Sequence, residues 1–211
     1  TMYALPFDPS ALVLLYRKDL FEDAIQKRSY YEMYHEALEV PKTFDQFQRI
    51  ARFFTKSFNP NSPVEYGLSM TYGAASVAVC DFLPRLYSVR PNVCQNGKIE
   101  ICCEESIKAL QDYVDSVQYS SKSEHSWWKN SILEFVSGKS AMVQTFSNYA
   151  SYSIDSKYSR IIGETGATIV PGGRPLLGGG LIGVSKFSSK KEEISQFFQW
   201  YYSKDISSAI I

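Results

Sequence analysis

Histidine is scarce in this sequence, and its scarcity restricts the acid–base and metal chemistry that the protein can perform. The 211 residues include only two histidines, His35 and His125. Imidazole is the commonest metal ligand and a frequent general base, so a histidine-based zinc or catalytic site is not expected. We predict that both histidines are surface residues, and we expect the protein to bind neither a metal ion nor another cofactor.

The sequence motifs of common enzymes are also missing. There is no G-x-S-x-G nucleophile elbow, no H-E-x-x-H zinc motif and no EF-hand loop. The acidic pairs Glu104–Glu105 and Glu192–Glu193 lie at predicted helix starts, where carboxylates complement the helix dipole. We therefore predict that the protein is not an enzyme. A pair of carboxylates with perturbed pKa values deep in a cleft would favour the opposite interpretation.

A phosphate-binding loop is excluded by its missing first glycine. Gly138-Lys139-Ser140 matches the end of such a loop, but the first glycine position holds Leu133, which cannot adopt the backbone conformations of glycine. The flanking residues predict a helix before the tripeptide and a strand after it, whereas a P-loop runs from strand to helix. Gly138 is instead predicted to end a helix, with Lys139 near the negative end of the helix dipole.

An excess of charge and a long apolar run are both lacking. Lys plus Arg and Asp plus Glu number 22 each, so the formal net charge is zero, and no nucleic-acid partner is expected without a basic surface. No segment approaches the roughly 18 apolar residues of a membrane-spanning helix. The first residues show neither the basic region nor the cleavage site of a signal peptide, which decides little if the chain is a fragment.

The four cysteines do not form a C-x-x-C motif. They are Cys80, Cys94, Cys102 and Cys103, and we predict that they are small buried hydrophobic residues, as free cysteines usually are. A disulfide between Cys94 and either Cys102 or Cys103 stays open, because sequence spacing alone does not fix the distance between two cysteines.

Aromatic residues are the one class in excess. They make up 15% of the chain, with 15 Tyr and 13 Phe. Part of this surplus is expected to pack the core, and part to line a site for a ligand with flat apolar faces. Trp127 and Trp128 are candidates for stacking on such a ligand. Because they begin a predicted helix, we expect at least one of them to lie in the core.

Apolar patterns typical of helices and strands alternate along the chain, which predicts an α/β sheet covered by helices on both faces. The run ALVLLY at 11–16 predicts a strand buried on both faces, after a short strand that Pro6 and Pro9 end. Further predictions are a helix break near Asp23, a capping box of Thr43 with Gln46, a helix interrupted at Pro84, and a last helix capped by Ser188 or Ser189.

Glycine is concentrated between Pro171 and Ser185. Gly178, Gly180 and Gly183 fit G-x-G-x-x-G, but the segment LIGVSKF after them predicts a strand where a dinucleotide-binding turn needs a helix. Two interpretations stay open, namely a loop with turn glycines and a stretch where bare backbone approaches a ligand or forms a hinge.

Four segments resemble a known family in their order and spacing, namely YALPFDPSALVLLYRKDLFED, VPKTFDQFQRIARFF, FVSGKSAMVQTF and PGGRPLLGGGLIGVSKFSSKKEEISQFFQWYYS. The sequence is similar over its whole length to the extracellular solute-binding proteins of ABC sugar importers (family 1, maltose-binding-protein-like). The resemblance implies two α/β lobes joined by crossing strands, with the ligand in the cleft. The chain would supply a three-layer αβα lobe of this periplasmic-binding-protein-like (type II) fold. Residues 1–183 would form the second lobe with the crossing strands, and residues 184–211 would begin the return into a first lobe that is mostly absent.

The resemblance also implies a function. The chain would be the substrate-binding component of an ABC transporter, capturing a carbohydrate between the lobes for import through the permease subunits. An extracellular, lipid-anchored or periplasmic protein is implied, and we expect a monomer. Two alternatives stay open: a ligand-sensing domain of the same fold in a signalling protein, and a site for a non-sugar small polar solute.

Ligand-binding residues are implied position by position. The first crossing strand would place a polar side chain at the cleft, and the loop after YGLSM would place an aromatic or a small polar residue at the ligand. The segment after GKSAM would offer an aromatic platform, and the LGGG turn would bring its backbone to the ligand. The residues at these positions are Asp8, Ser10, Tyr72, Phe146, Asn148, Tyr149, Gly179 and Gly180.

Overall fold

A computed structural model describes residues 4–73, 75–121 and 127–210. The chain divides into a larger unit, Ser10–Gly178, and a smaller unit of Thr1–Pro9 with Gly179–Ile211. His125 lies outside the described residues, whereas His35 is exposed at the end of a helix, as predicted. None of the described helices combines the length and the apolar character that crossing a membrane requires.

Strands and helices alternate along the chain, as their sequence patterns predict. In chain order the elements are β1 (Leu5–Arg17), α1 (Lys18–Glu22), α2 (Ala24–Tyr34), α3 (Phe44–Phe53), β2 (Tyr66–Ser69), α4 (Ala75–Val89), β3 (Cys94–Gln95), β4 (Lys98–Ile99), α5 (Glu104–Ser116), α6 (Trp128–Val136), β5 (Ser140–Phe146), β6 (Thr165–Ile169), β7 (Leu177–Ile182), α7 (Lys191–Tyr201) and α8 (Lys204–Ile210).

The main sheet has the strand order β2-β5-β1-β6, and β7 also pairs with β1. β5 and β6 run antiparallel to β1, with Leu14 opposite Gln144 on one side and opposite Thr168 on the other. β2 runs parallel to β5. β1 is therefore a central strand, and β2 and β5 end at the same edge of the sheet. β3 and β4 form a separate hairpin.

Hydrophobic clusters cover both faces of this sheet. Leu14 of β1 packs into a cluster with Phe47 of α3, whereas the next residue, Leu15, packs into a second cluster with Phe135 of α6. Successive strand residues point to opposite faces, so the two clusters lie on opposite sides of the sheet. The buried run at 11–16 and the layered αβα arrangement are confirmed.

Local capping signals in the sequence set several helix ends. The Thr43 hydroxyl accepts from the Gln46 amide, and the Gln46 side chain accepts from the Thr43 amide, which completes the predicted capping box of α3. Asp23 breaks the chain between α1 and α2 and caps α2. Gly138 has a φ of 84° just after α6, in the left-handed region that glycine tolerates. The acidic pairs stand in the first turns of α5 and α7.

The predictions about proline are wrong, because neither β1 nor α4 ends at its proline residues. β1 continues through Pro6 and Pro9. Its registered pairs with β5 and β6 begin only at Leu12, so neither proline has to donate a hydrogen bond to those strands. α4 continues past Pro84. The Arg85 guanidinium donates to the Asp81 carbonyl at 2.6 Å and supports the backbone of this turn.

Two further predictions are wrong in the second half of the chain, and one helix was not predicted. The predicted strand LIGVSKF is wrong beyond its first two residues, because β7 spans 177–182. Of the two interpretations left open for the glycine-rich segment, a loop is excluded over these six residues. α7 begins at Lys191 with no side-chain cap, while Ser188 accepts from the Lys190 amide in the turn before it. The C-terminal residues form an additional helix, α8.

The cysteines are not buried hydrophobic residues. Cys94 and Cys102 are exposed, Cys80 and Cys103 are half-buried, and all four are free thiols. Three of them lie in or just after the β3–β4 hairpin, whose Lys98 and Ile99 are exposed. A hairpin this short has no hydrophobic cluster of its own in which a thiol could be buried.

The smaller unit carries few buried groups. Within it, the Phe7 ring stacks on Tyr201 with centroids 5.4 Å apart, and the Tyr202 hydroxyl donates to the Pro6 carbonyl. Of the described residues of α7, none is buried, and Trp200 is 55% exposed.

Candidate functional site

One edge of the main sheet collects several of the predicted ligand-binding residues. Phe146 ends β5, and Tyr72 follows the end of β2. Because β1 is antiparallel to β5, the N-terminal part of β1 lies at the same edge, with Leu12 opposite Phe146. Ser10 lies two residues before Leu12. In α/β sheets, ligands bind outside the carboxyl ends of the parallel strands, which makes this edge the candidate site.

The ring of Phe146 and the hydroxyl of Ser10 both lie against Gly178. A Cβ atom on Gly178 would lie 2.5 Å from Cε1 of Phe146 and 2.8 Å from Oγ of Ser10. Only a residue without a side chain leaves room for both neighbours at this point. Bare backbone at Gly178 therefore lies against an aromatic ring of the protein itself, while its approach to a ligand or use as a hinge stays a prediction.

Two tryptophans extend the aromatic surface that Phe146 begins. The Trp128 ring meets the Phe146 ring edge-on, with centroids 5.0 Å apart, and Trp127 lies 4.8 Å from Trp128. The Trp127 indole Nε1 donates to the Tyr149 hydroxyl at 2.9 Å. We call Tyr72, Trp127, Trp128, Phe146 and Tyr149 the aromatic edge.

The expectation that at least one tryptophan lies in the core is wrong. Trp127 is 50% exposed, and Trp128 is partly exposed. The reason is their position, because Trp128 begins α6 and its ring packs on Phe146, the last residue of β5. Nε1 of Trp128 is nevertheless buried, with no hydrogen-bond partner among the described residues.

The other predicted residues of the larger unit have different surroundings. The Tyr72 hydroxyl donates to the Ser121 carbonyl at 2.7 Å, and its ring packs partly against the cluster that contains Leu14. Tyr149 is half-buried and stacks on Tyr152 in the 3-10 helix that follows β5. Asn148, in the same short helix, is exposed.

Asp8, Gly179 and Gly180 lie together in the smaller unit. Asp8 has a φ of 51° and Gly179 a φ of 103°, and a Cβ on Gly179 would collide with the Asp8 carbonyl oxygen. A Cβ on Gly180 would lie 3.2 Å from the carbonyl oxygen of Phe7. The backbones therefore approach closely here, as the glycines suggest, while the Asp8 side chain is exposed.

Sequence reasoning missed a buried polar group behind the edge. Asp81 of α4 is 2% exposed. Its carboxylate accepts from the Thr71 amide at 3.2 Å and from the Gln144 side-chain Nε2 at 3.3 Å. Burial raises the pKa of Asp81 to about 6, while the charge of Arg85 partly opposes this rise. The available signal was a lone acid inside the apolar segment AASVAVCDFLPRLYS, followed four residues later by an arginine.

Arg85 is the cationic partner in this region. Its guanidinium lies over the ring of Phe44, 4.7 Å from the centroid, and donates to Ser116 Oγ at 3.4 Å. Burial lowers the pKa of Arg85, and the Asp81 charge opposes that shift. Asp81 thus faces an arginine and an amide, which is not the carboxylate pair that would favour an enzyme. Within the described ranges, no group of three or more His, Cys, Asp or Glu side chains is arranged to hold a metal ion.

Comparison with known proteins gives one family and many related structures. The sequence model of the family described as bacterial extracellular solute-binding protein matches residues 1–210. An ABC transporter solute-binding protein from Agrobacterium radiobacter K84, in complex with ribitol, is 27% identical with a TM-score of 0.78, and the match covers 98% of this chain and 50% of that one. Maltose-bound MalE3 of T. maritima is 25% identical with a TM-score of 0.77, over 97% of this chain and 51% of that one.

A third structure supports the fold alone. It is an ABC transporter solute-binding protein from Agrobacterium vitis S4 with bound D-mannitol, 23% identical, with a TM-score of 0.73 over 99% of this chain and 49% of that one. The chain spans about half the length of these three proteins. The matches confirm the resemblance and the α/β fold, and the matched family consists of binding proteins.

Proposed function

This chain belongs to the family of bacterial extracellular solute-binding proteins, and from that premise we propose that it is part of the substrate-binding component of an ABC transporter. Its ligand is a carbohydrate, a sugar or an oligosaccharide, taken up for import. The relatives solved with ribitol and with maltose support a polyhydroxylated ligand. The protein binds this ligand without changing it chemically.

The observation that carries the proposal is the aromatic edge. Sugars present C–H faces that pack on aromatic rings, and hydroxyls that need polar partners beside those rings. Trp127 offers a half-exposed indole face next to the Tyr149 hydroxyl. Contiguous exposed apolar patches, unlike single exposed apolar residues, often mark ligand-binding sites. These features support stacking of a sugar ring at the carboxyl ends of β2 and β5.

The residues implied by the family resemblance have separate roles in this proposal. In the larger unit, Phe146 and Tyr149 form the apolar platform, while Ser10, Tyr72 and Asn148 supply polar groups around it. In the smaller unit, Asp8 contributes its exposed carboxylate, and Gly179 and Gly180 contribute bare backbone.

The domain arrangement follows the same model. We assign residues 1–183 to the second lobe with its crossing strands, and residues 184–211 to the beginning of a return into the first lobe. Two facts support this assignment. The chain spans about half the length of its solved relatives, and α7 shows no buried residue in the described part of the chain. A further lobe would cover its aromatic side chains, such as Phe197 and Trp200.

The family also suggests partners and a location. The membrane subunits of an ABC permease would receive the ligand, and the binding protein would act as a monomer. It would work outside the cytoplasmic membrane, either in the periplasm or attached to the membrane by a lipid.

A two-dimensional amide NMR titration of this chain tests the proposal. Maltose, ribitol and D-mannitol are added separately at millimolar concentration, with ethylene glycol at equal hydroxyl concentration as the control. We expect at least one of the three to shift the Trp127 indole N–H signal and the Phe146 and Tyr149 amides. Ethylene glycol should leave them in place. If none of the three shifts these signals, the proposed carbohydrate site is wrong, and shifts confined to another region would reject the aromatic edge as its location.

A further inference from the structure

Asp81 connects one helix to the ends of two strands. The residue lies on α4, whereas Thr71 follows β2 and Gln144 lies in β5. One carboxylate oxygen accepts from the Thr71 amide, and the other accepts from the Gln144 amide nitrogen. Thr71 immediately precedes Tyr72, and Gln144 lies two residues before Phe146 on the same face of the strand. The carboxylate therefore holds the backbone at Thr71 and the side chain of Gln144 just behind the aromatic edge.

Gln144 makes this arrangement sensitive to a proton. Its side chain is buried, and its Oε1 has no hydrogen-bond partner among the described residues. An ionised Asp81 carboxylate accepts both of its hydrogen bonds, one from Thr71 and one from Gln144. A protonated Asp81 has to donate one hydrogen bond, and the Gln144 oxygen is the acceptor within reach once the amide turns over. Protonation thus reverses the Asp81–Gln144 bond and weakens one of the two contacts that hold the strand ends.

Apart from Asp112, the other ionisable groups around Asp81 do not titrate in the same pH range. Arg85 and Cys80 lie on α4, and Tyr113 faces Asp81 from α5. Burial raises the pKa of the Cys80 thiol above its usual 9.0 and that of Tyr113 to about 12. On α5, Asp112 faces Arg85, and partial burial raises the pKa of its carboxyl above 3.8. Asp112 is thus the nearby group that needs a control.

We propose that Asp81 is a positioning residue for the aromatic edge, and that its protonation rearranges the ends of β2 and β5 and lowers ligand affinity. The rearrangement itself can be measured without any ligand. The effect on affinity rests on the proposed carbohydrate-binding function. Asp81 touches no ligand in this proposal, because it acts through Thr71 and Gln144.

The first experiment is a ligand-free NMR titration from pH 7.5 to pH 5. It is done in the His125→Gln background, because His125 lies two residues before Trp127 in the sequence and histidine in model peptides titrates in this pH range. We expect the Thr71 amide, the Gln144 side-chain amide, the Phe146 amide and the Trp128 indole signal to shift with one midpoint near 6. The titration should persist in Asp112→Asn and disappear in Asp81→Asn.

Two results would overturn the proposal. The first is a flat titration at Thr71 and Gln144, and the second is a shift at these two residues that does not reach Phe146 and Trp128. Gln144→Glu gives an independent check if Asp81→Asn does not fold. It places a second carboxyl against Asp81, and two carboxyls that share a proton titrate at a higher pH. The midpoint at Phe146 should then rise, and an unchanged midpoint would also contradict the proposal.

The second experiment measures affinity for whichever of maltose, ribitol and D-mannitol binds at pH 7.5. We expect the affinity to fall about fivefold at pH 5, the size of a modest coupling between two sites, and to stay constant in Asp81→Asn. Equal pH dependence in the two proteins would overturn the coupling to the ligand. If none of the three probes binds, the proposed function fails, while the ligand-free titration still decides whether Asp81 positions the edge.

Discussion

The indole nitrogen of Trp127 donates a hydrogen bond to the hydroxyl oxygen of Tyr149, 2.9 Å away. This bond joins the residue before α6 to the 3-10 helix after β5. It holds a half-exposed tryptophan in one orientation at the edge of the sheet. A ring that is already oriented loses little conformational freedom when a ligand stacks on it.

Replacement of Trp127 should weaken carbohydrate binding without unfolding the protein. We expect Trp127→Ala to lower affinity for the probe saccharide about fivefold to tenfold, because an aromatic contact contributes about 1 kcal/mol. Trp127→Phe keeps a ring but lacks the indole donor, so its affinity should fall between those of Trp127→Ala and the unchanged protein. Calorimetric titration at pH 7.5 measures the affinities.

Tyr31→Ala is the matched control for this series. Tyr31 is 58% exposed on α2, close to the exposure of Trp127, but lies outside the aromatic edge. The Tyr31→Ala variant should bind the probe saccharide as tightly as the unchanged protein does. Its thermal unfolding should resemble that of Trp127→Ala. Equal losses of affinity in Tyr31→Ala and Trp127→Ala would reject a specific role for Trp127.

Gly178→Ala should destabilise the larger unit, chiefly through a clash with the Phe146 ring. The added methyl group would lie 2.5 Å from the Phe146 ring, so the ring must move away from its position beside Ser10. Overpacking of this kind costs about 1–3 kcal/mol in the free energy of unfolding. Urea denaturation followed by intrinsic fluorescence gives the value.

A double-mutant cycle identifies the cause of that loss. Phe146→Leu removes the ring atoms that the methyl group would meet, so Gly178→Ala should cost markedly less in the Phe146→Leu background. Strict additivity of the two substitutions would show that the ring is not what requires a glycine at position 178.

Loss of the α3 capping box should destabilise the protein by a predictable amount. Thr43→Ala removes the oxygen that accepts from the Gln46 amide, and the loss of such a cap costs about 1 kcal/mol of the free energy of unfolding. Thr43→Ser keeps the hydroxyl and should retain most of the stability. A Thr43→Ser variant as unstable as Thr43→Ala would mean that the cap hydrogen bond is not the source of the effect.

The features that sequence predicts well in this chain depend on near neighbours. Thr43 and Gln46 are three residues apart, and both halves of their capping box are visible in the sequence. The run at 11–16 is buried on both faces because β1 is a central strand, and a continuous apolar stretch is the mark of that position. Gly138 ends α6 because glycine tolerates the left-handed backbone conformation that it adopts there.

The features that sequence missed depend on contacts between distant residues. Asp81 and Gln144 are separated by 63 positions, so the lone acid in α4 carries no sign of its amide partner. The surroundings of Gly178 are supplied by Ser10 and Phe146, which come from other strands. In the sequence, Pro6 and Pro9 predict the end of a strand. The strand continues through them because the ladders with β5 and β6 begin only after them. For Trp127 and Trp128, the sequence shows the start of a helix, but it does not show that this start packs on Phe146 at the end of β5.

Asp81 should make the stability of the protein depend on pH in a defined direction. The pKa of its buried carboxyl is about 6 in the folded protein, against the 3.8 of an unperturbed aspartate. A raised pKa means that the folded state binds the proton more tightly than the unfolded state does. The contribution of Asp81 to stability is therefore full below about pH 4 and is lost as the pH rises through 6. Between pH 7.5 and pH 5, acidification should add on the order of 1 kcal/mol to the free energy of unfolding through this residue.

Urea unfolding of the unchanged protein and of Asp81→Asn, at pH 7.5 and at pH 5, measures this contribution. The free energy of unfolding of Asp81→Asn relative to the unchanged protein should fall by on the order of 1 kcal/mol on acidification. For Asp112→Asn the corresponding change should be smaller. A pH-independent difference between Asp81→Asn and the unchanged protein would show that the carboxyl has an ordinary pKa. The direction of this change also matters for function. Ligand affinity is expected to fall at low pH, while the contribution of Asp81 to the free energy of unfolding rises. Loss of binding at pH 5 could then not be attributed to unfolding caused by Asp81, since protonation of Asp81 favours the folded chain.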